Sequence, residues 1–178
     1  MLPNLAQIKA KDAVSDSELP VSVVIIDDDV DLCRALKKLF EIDGRIQVLA
    51  VSHSPYNAIP LLESHCPDVL LLDIDFDEAI SGIDVLKRVK AREDLDVKIL
   101  IYTIYARDET IFDALRAGAN SYVWKDESTE EIADAIINTA QGKAHISTAI
   151  AQKMLDHFDQ YRHLFADGAP PDWPTEEK

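Results

Sequence analysis

Short runs of apolar residues alternate along the chain with segments in which apolar residues recur every three or four positions. The short runs have the length and the β-branched composition of buried strands, whereas the second pattern is typical of helices that pack by one face. The five predicted strands are Val21–Ile26, Ile46–Val51, Val69–Leu72, Val97–Tyr102 and Ser121–Trp124.

Helices are predicted between these strands by apolar spacing and by residues that begin or end helices. Ser54 and Pro55 indicate a helix start, with Ser54 as the cap and Pro55 in the first turn, and Pro67 ends that helix after about His65. The first helix carries Leu32, Leu36, Leu39 and Phe40 at helical spacing, and the later ones cover about Ile83–Val89, Asp108–Ala117 before Gly118, and a segment from the Ser128–Glu131 capping box to near Gly142.

Strands that alternate with helices in this way predict an α/β domain with a parallel sheet. Right-handed crossovers leave few topologies, and the favoured one is a flavodoxin-like (βα)5 doubly wound sandwich with strand order 2-1-3-4-5. This domain is expected to span residues 21–144, after a disordered leader over residues 1–20.

A further amphipathic helix is expected over residues 147–166, followed by an acidic, proline-containing tail or linker over residues 167–178. The helix is predicted from an apolar stripe formed by Ile150, Met154, Phe158, Tyr161 and Phe165. Such a stripe is more often packing than function, and it leaves open whether the helix packs on the domain, extends toward another domain or dimerises.

Composition narrows the class of protein. The chain has 178 residues, nearly half of them apolar, and a formal net charge of −15. That charge argues against direct contact with nucleic acid, because phosphate contacts need Lys and Arg. No apolar run approaches the roughly 20 residues of a membrane span. Cys33 and Cys66 lie far apart and are expected to be small buried residues of a reducing compartment, which indicates a cytoplasmic protein.

Polar side chains follow four of the predicted strands. In a 2-1-3-4-5 sheet the carboxyl ends of the first and third strands meet at the switch in chain direction, where ligands bind. The residues delivered to this rim are Asp27, Asp28, Asp73, Thr103 and Lys125. Clustered carboxylates repel one another or recruit a hard cation, and Mg²⁺ suits them best. A hydroxyl, an ammonium group and a metal are what a transferring phosphoryl group needs, with the central carboxylate as nucleophile.

The sequence resembles the receiver domain of two-component response regulators over roughly residues 21–142. The resemblance is carried by the segments Ile25-Ile26-Asp27-Asp28-Asp29, Leu70-Leu71-Leu72-Asp73, Ile99-Leu100-Ile101-Tyr102-Thr103 and Ala117-Gly118-Ala119-Asn120-Ser121-Tyr122-Val123-Trp124-Lys125. Lys125-Asp126-Glu127-Ser128 and the later His145-Ile146-Ser147 are most similar to receivers of the LuxR-type class, which normally carry a DNA-binding helix-turn-helix domain.

The resemblance implies a role for each residue of the predicted site. Asp73 would be the phospho-acceptor, and Thr103 and Lys125 would bind the phosphoryl oxygens. Mg²⁺, or Mn²⁺ in its place, would be bound by Asp28, Asp73 and the backbone carbonyl of Asp75, with Asp27 acting through water. Tyr122 would be the switch aromatic, turning inward as Thr103 moves toward the phosphoryl group.

The implied partners are a sensor histidine kinase or a phosphotransfer protein, with a homodimer as a further option. Two departures from the family pattern lie in the loop after the acceptor, where Asp77 replaces the usual proline and Gly82 comes one residue late. The loop from Asp75 to Ser81 is therefore longer and more acidic than usual. These departures bear on metal affinity and on the lifetime of the phosphorylated state.

Two enzyme-like or cofactor-binding alternatives are weaker. Asp73-Ile74-Asp75-Phe76-Asp77 resembles the Asp-x-Asp motif of haloacid-dehalogenase-type phosphatases, but the order of the acidic pair and the lysine along the chain is wrong for that family. A flavodoxin would need a phosphate-binding loop after the first strand, where aspartates would repel a phosphate. The sequence therefore predicts a receiver that is not a turnover enzyme.

The output of the protein stays open. One interpretation is a receiver that signals to another protein through a phosphorylation-sensitive surface. The other is the N-terminal part of a LuxR-type transcription regulator that lacks its helix-turn-helix, since the tail ending in Pro174-Thr175-Glu176-Glu177-Lys178 resembles the entry into such a domain. Under either interpretation, residues 147–178 are not expected to recognise DNA themselves, because basic residues are sparse there.

Overall fold

A computed structural model describes residues 19–104 and 108–161 of the chain. Its five strands form a single parallel sheet in the order β2-β1-β3-β4-β5, which confirms the predicted topology. The strands are β1 (Val21–Ile26), β2 (Ile46–Ser52), β3 (Val69–Leu72), β4 (Lys98–Thr103) and β5 (Ser121–Trp124). Each lies within one residue of its predicted position.

The helices alternate with the strands as expected. They are α1 (Val30–Asp43), α2 (Ala58–His65), α3 (Gly82–Lys90), α4 (Asp108–Arg116), α5 (Thr129–Ala140) and α6 (Thr148–Tyr161). The remainder of the predicted C-terminal helix, residues 162–166, and the tail lie outside the described residues, as does the leader except for Leu19 and Pro20.

The core consists of two apolar layers, one on each face of the sheet. All four residues of β3 are buried: Leu70 and Leu72 belong to the layer beneath α2, α3 and α4, and Val69 and Leu71 to the layer beneath α1 and α5. A parallel strand covered on both faces needs an uninterrupted apolar sequence, which explains why β3 does not alternate. Its carbonyl and amide groups are held by β1 and β4, so the residue after it is rigidly placed.

The start of α2 differs from the prediction. Pro55–Asn57 form a 3-10 turn before α2, and the Ser54 side chain makes no capping hydrogen bond. The hydroxyl of Ser52 organises this turn instead, because it accepts hydrogen bonds from Ser54 N (3.2 Å) and Asn57 Nδ2 (3.0 Å) and donates to Ser54 O (3.1 Å).

The prediction that both cysteines are buried is confirmed for Cys33 and wrong for Cys66. Cys33 is buried under the end of β1, but Cys66 is exposed. Cys66 ends α2 in the left-handed conformation, with φ of 45°, and the residue that closes a surface helix faces solvent. No helix among residues 19–104 and 108–161 is both long and apolar enough to cross a membrane.

Helix α6 packs on the domain rather than extending from it. Ile150 is fully buried in the layer that also contains Tyr122 of β5 and Ile111 of α4. The rings of Phe112 on α4 and Phe158 on α6 meet edge to face, with centroids 5.4 Å apart. Of the three placements that the sequence left open, the structure shows the helix packed on the domain.

Candidate functional site

Backbone hydrogen bonds at the carboxyl ends of the strands place the polar residues of the sheet along one rim. Beyond the last paired residues, Asp27 N donates to Ser52 O (3.1 Å), Asp73 N to Ile26 O (2.9 Å) and Lys125 N to Thr103 O (2.9 Å). The carboxyl ends of β1, β3, β4 and β5 therefore place the predicted residues side by side, although they are distant in sequence.

The ammonium group of Lys125 joins two of the carboxylates. Its Nζ lies 2.6 Å from Asp27 Oδ2 and 2.7 Å from Asp73 Oδ2, and all three side chains are less than a tenth exposed. The contact with Asp73 is a hydrogen bond, whereas the contact with Asp27 lacks hydrogen-bond angles and is an ion pair. Desolvation makes it costly to leave a buried lysine without any carboxylate partner.

Burial and charge shift the pKa values of this group. Burial raises the pKa of Asp27 to about 6, although Lys125 opposes that rise, and the negative charge of Asp73 adds to it. Burial alone would lower the pKa of Lys125, but its bonds to Asp27 and Asp73 outweigh burial and leave that pKa raised. The shifts at Asp27 and Lys125 thus show a buried carboxylate and a buried ammonium group that oppose each other's desolvation.

Asp28 completes a cluster that can hold a metal ion. One carboxylate oxygen from each of Asp27, Asp28 and Asp73 lies within 4.8 Å of the other two, with Asp28 exposed and the others buried. Three carboxylates against one ammonium leave an excess of negative charge, which a divalent cation would balance. Hard oxygen ligands with one side open to solvent fit Mg²⁺, which keeps several of its waters.

The side chain of Asp73 is held in place by its neighbours in the chain and by Lys125. Its Oδ1 accepts hydrogen bonds from Ile74 N (2.6 Å) and Asp75 N (3.3 Å), while Oδ2 is bound by Lys125. The side chain is therefore oriented through both oxygens. A carboxylate that is held in this way presents a fixed direction of attack to an incoming electrophile.

Thr103 lies at the same rim, but its hydroxyl is directed to a different carboxylate. Thr103 Oγ1 donates to Asp75 Oδ2 at 3.1 Å. From the sequence, Asp75 was expected to contribute only its backbone carbonyl, so this side-chain contact is new. Thr103 would have to give up that contact before its proton could serve a phosphoryl group on Asp73, because a hydroxyl has only one proton to donate.

Tyr122 is fully buried in the inward position. Burial raises its pKa, and the negative charges of Asp75 and Asp73 add to that rise. The ring is thus already inward while the Thr103 hydroxyl is bound to Asp75. The expected coupled movement of Tyr122 and Thr103 stays a prediction.

Three residues support the site in ways that were not identified from the sequence. A Cβ added at Gly82 would overlap Asp73 O and lie 2.6 Å from Ile74 Cα, so only glycine lets α3 begin against the backbone of Asp73. His53 Nδ1 lies 2.9 Å from Asp27 O, and the Tyr102 ring lies under Lys125 Nζ, 5.6 Å from its centroid. The late position of Gly82 in the sequence was the one available signal.

Comparison with known proteins agrees with this geometry. The pattern described as the response regulator receiver domain matches residues 23–137, which is more than half of the chain. The chain belongs to the response regulator receiver family. The resemblance inferred from the aspartates, Thr103 and Lys125 is therefore confirmed at the level of the family.

Several relatives are regulators that are longer than this chain. The "Nitrate/nitrite response regulator protein homolog" of Haemophilus influenzae is 32% identical over 136 residues, covering 76% of this chain and 64% of that protein. "Transcriptional regulatory protein DegU" of Brevibacillus brevis is 27% identical, covering 83% of this chain and 61% of that protein. The receiver thus spans a little over three-fifths of the length of these relatives.

Solved structures agree on the fold. A "DNA-binding response regulator, LuxR family, from Staphylococcus aureus" superposes with a TM-score of 0.63 at 28% identity, covering 67% of this chain and 98% of that one. A LuxR-family two-component response regulator from Aurantimonas sp. SI85-9A1 has a TM-score of 0.72 at 24% identity, covering 79% and 99%. The latter supports the fold alone.

Proposed function

We propose that this receiver accepts a phosphoryl group on Asp73 from the phosphohistidine of a sensor kinase or a phosphotransfer protein, in a Mg²⁺-dependent reaction. The observation that carries the proposal is the buried ion pair of Lys125 with both Asp27 and Asp73, beside Asp28. A lysine in that position orients the acceptor before transfer and neutralises phosphoryl charge after it.

The transfer itself needs little from the protein beyond position and charge. A carboxylate oxygen of Asp73 forms a bond to phosphorus while the phosphorus–nitrogen bond of the donor breaks, and the electron pair stays on the histidine nitrogen. Lys125 and Thr103 then donate hydrogen bonds to the phosphoryl oxygens. Mg²⁺ or Mn²⁺, held by Asp28, Asp73 and the Asp75 carbonyl with Asp27 acting through water, would supply positive charge to those oxygens.

The product is a mixed anhydride of a carboxylic and a phosphoric acid, which water hydrolyses. The protein therefore acts once per phosphorylation event and returns to its starting state, as a signalling component and not as a turnover enzyme. The phosphorylated receiver would change a surface that contacts another protein or a second copy of the chain.

A second candidate concerns the output. Relatives such as DegU of Brevibacillus brevis are named as transcriptional regulators, and this chain spans only part of their length. We infer that the receiver can serve as the regulatory part of a LuxR-type transcription factor, whose DNA contacts would be made by a separate domain. The prediction that the protein works in the cytoplasm accords with that role.

Incubation of the chain with Mg²⁺ and acetyl phosphate tests the proposed acceptor. We expect one acid-stable, base-labile acyl phosphate, located at Asp73 by mass spectrometry after borohydride reduction. Asp73→Asn should label less than about a hundredth as well, because an amide cannot form the anhydride. Asp96→Asn, a change of the same kind at an exposed carboxylate before the start of β4 and outside the site, is the control and should label like the wild type. Equal labelling of Asp73→Asn would refute the assignment.

A further inference from the structure

Helix α6 covers the face formed by α4 and β5. Ile150 is completely buried there, and Met154 packs against the same apolar layer. Lys153 Nζ lies 5.5 Å from the centroid of the Trp124 ring at the end of β5. Leu155, on the opposite side of the helix, is 61% exposed. The helix thus has a docked side and a solvent side, which can be tested separately.

The segment leading into α6 is bonded directly to Tyr122. Tyr122 N donates to His145 O at 2.8 Å, and Ser147 N donates to Tyr122 O at 3.1 Å. Tyr122 and Ile146 therefore form a parallel bridge, which extends the sheet beyond β5. Both backbone groups of Tyr122 on this edge are satisfied by the residues that begin the α6 segment.

The inward ring of Tyr122 is not held by a hydrogen bond of its own. Within the described residues, its buried hydroxyl has no hydrogen-bond partner. A buried hydroxyl in that situation is unfavourable, so the surrounding packing must hold the ring inward. Ile150 belongs to the apolar layer that encloses this ring, and residues 145–147 fix its backbone.

Tyr122 also shares its apolar layer with Ile74, the residue that follows Asp73. At the same rim, Thr103 Oγ1 donates a hydrogen bond to Asp75 Oδ2. Ile101 and Tyr122 are paired across β4 and β5, two residues before Thr103 and Trp124. A continuous set of contacts therefore runs from α6 through Tyr122 to the rim of the sheet.

We propose that docked α6 holds Tyr122 inward and thereby stabilises the phosphorylated form of Asp73, so that phosphorylation in turn tightens the docking of α6. The proposal rests on the function proposed above and on the role that the family resemblance implies for Tyr122, which turns inward as Thr103 moves toward the phosphoryl group. Coupling between two sites is reciprocal, so each effect must equal the other in size.

Equilibrium binding of beryllofluoride, a phosphoryl mimic, tests whether docked α6 stabilises the phosphorylated form of Asp73. Its apparent affinity in Mg²⁺ is measured by fluorine NMR of the bound species in the wild-type chain, Ile150→Ala and Leu155→Ala. Ile150→Ala should weaken binding by about fivefold or more, the lower end of usual allosteric coupling. Leu155→Ala removes the same number of carbon atoms from the solvent side of α6 and should leave the affinity unchanged.

Hydrogen exchange in the wild-type chain tests whether phosphorylation tightens the docking of α6. Beryllofluoride should slow exchange of the Tyr122 amide, which donates to His145 O, by a factor similar to the loss in Ile150→Ala. Unchanged or faster exchange would overturn the proposal. If Ile150→Ala does not fold, Phe158→Ala replaces it, since Phe158 is 57% exposed but contacts Phe112.

The outcomes separate the two proposals. A wild-type chain that binds no beryllofluoride and forms no acyl phosphate on Asp73 overturns the proposed function and this inference with it. A wild-type chain that is phosphorylated on Asp73, while the docked-side variant and Leu155→Ala bind beryllofluoride equally well, overturns the inference alone. A docked-side variant that binds beryllofluoride more tightly than the wild type would also overturn it, because α6 would then oppose phosphorylation.

Discussion

Asp27 is a carboxylate whose burial in the site carries a cost in stability. Because burial raises its pKa to about 6, the folded chain binds a proton at Asp27 more tightly than the unfolded chain does. The stability that this group contributes is therefore fully present below its unfolded pKa of about 4 and is lost as the pH rises through 6. In metal-free buffer at pH 7.5, Asp27→Asn should stabilise the fold by about 1 to 3 kcal/mol.

Urea unfolding in EDTA measures this gain in stability, and urea unfolding in Mg²⁺ measures how much the bound metal stabilises each variant. Mg²⁺ should stabilise the wild-type chain, because it binds the folded carboxylate cluster, and should stabilise Asp27→Asn much less. Asp29→Asn is the control: Asp29 is exposed and caps α1 through Leu32 N, and asparagine caps equally well. If Asp27→Asn is no more stable than Asp29→Asn in EDTA, the site is less strained than its geometry indicates.

Gly82 is the residue at which a single methyl group should disturb the acceptor. Its added Cβ would overlap the backbone of Asp73 and Ile74, which cannot move without shifting β3. We expect Gly82→Ala to cost at least about 3 kcal/mol, the upper range for overpacking, and to slow labelling of Asp73.

Gly142→Ala is the matched control for this steric effect. Gly142 has φ of 76° and no atom within 4 Å of an added Cβ, so alanine there is strained only in its backbone, by about 1 kcal/mol. Equal losses at the two positions, measured by urea unfolding, would mean that α3 can move away from the acceptor.

At the scale of single elements, the strands and most helices could be predicted because their signals are local. The apolar run of β3 and the capping box of α5 each specify a structure from a few neighbouring residues. The 3-10 turn before α2 could not be predicted, because it depends on the Ser52 hydroxyl at the end of another element. The bridge between Tyr122 and Ile146 was missed for the same reason, since one residue pair carries no periodic pattern.

The capping box of α5 makes a quantitative prediction for one element. Ser128 Oγ accepts a hydrogen bond from Glu131 N (3.3 Å), while Ser128 N donates to Glu131 Oε2 (2.8 Å). Ser128→Ala should cost about 1 kcal/mol in urea unfolding, because the helix loses its cap. Glu131→Gln keeps the reciprocal bond and should cost far less. A similar loss in both variants would indicate that charge, and not the cap, stabilises this end of α5.

At the scale of the whole molecule, topology made the site predictable and side-chain direction did not. A parallel sheet in the order 2-1-3-4-5 brings Asp27, Asp73 and Lys125 together whatever their rotamers, so their meeting followed from the sequence pattern. The bond from Thr103 to the Asp75 side chain depends on one rotamer and one loop conformation, which a sequence pattern does not contain. The docking of α6 likewise depends on which of several apolar surfaces its stripe meets.

The overall charge gives a prediction about output. With 33 acidic and 18 basic residues, the chain repels a polyanion, and phosphorylation adds further negative charge. We therefore expect no saturable binding of this 178-residue chain to duplex DNA at physiological salt, with or without acetyl phosphate, in a fluorescence anisotropy titration. Asp73→Asn separates any effect of phosphorylation from an effect of the phosphate donor.

A positive result would be informative because of how it would depend on salt. Binding through Lys and Arg weakens steeply as salt rises, in proportion to the number of phosphates contacted. Among the described basic residues, Arg45 and Arg92 are already paired with carboxylates, and Lys125 is buried in the site. DNA binding with a steep salt dependence would therefore have to use other Lys and Arg side chains or break these pairs. Under the proposed function, we therefore expect the signal from Asp73 to leave through a protein surface, and the α4–β5 face with its docked α6 is a surface that packs against Tyr122.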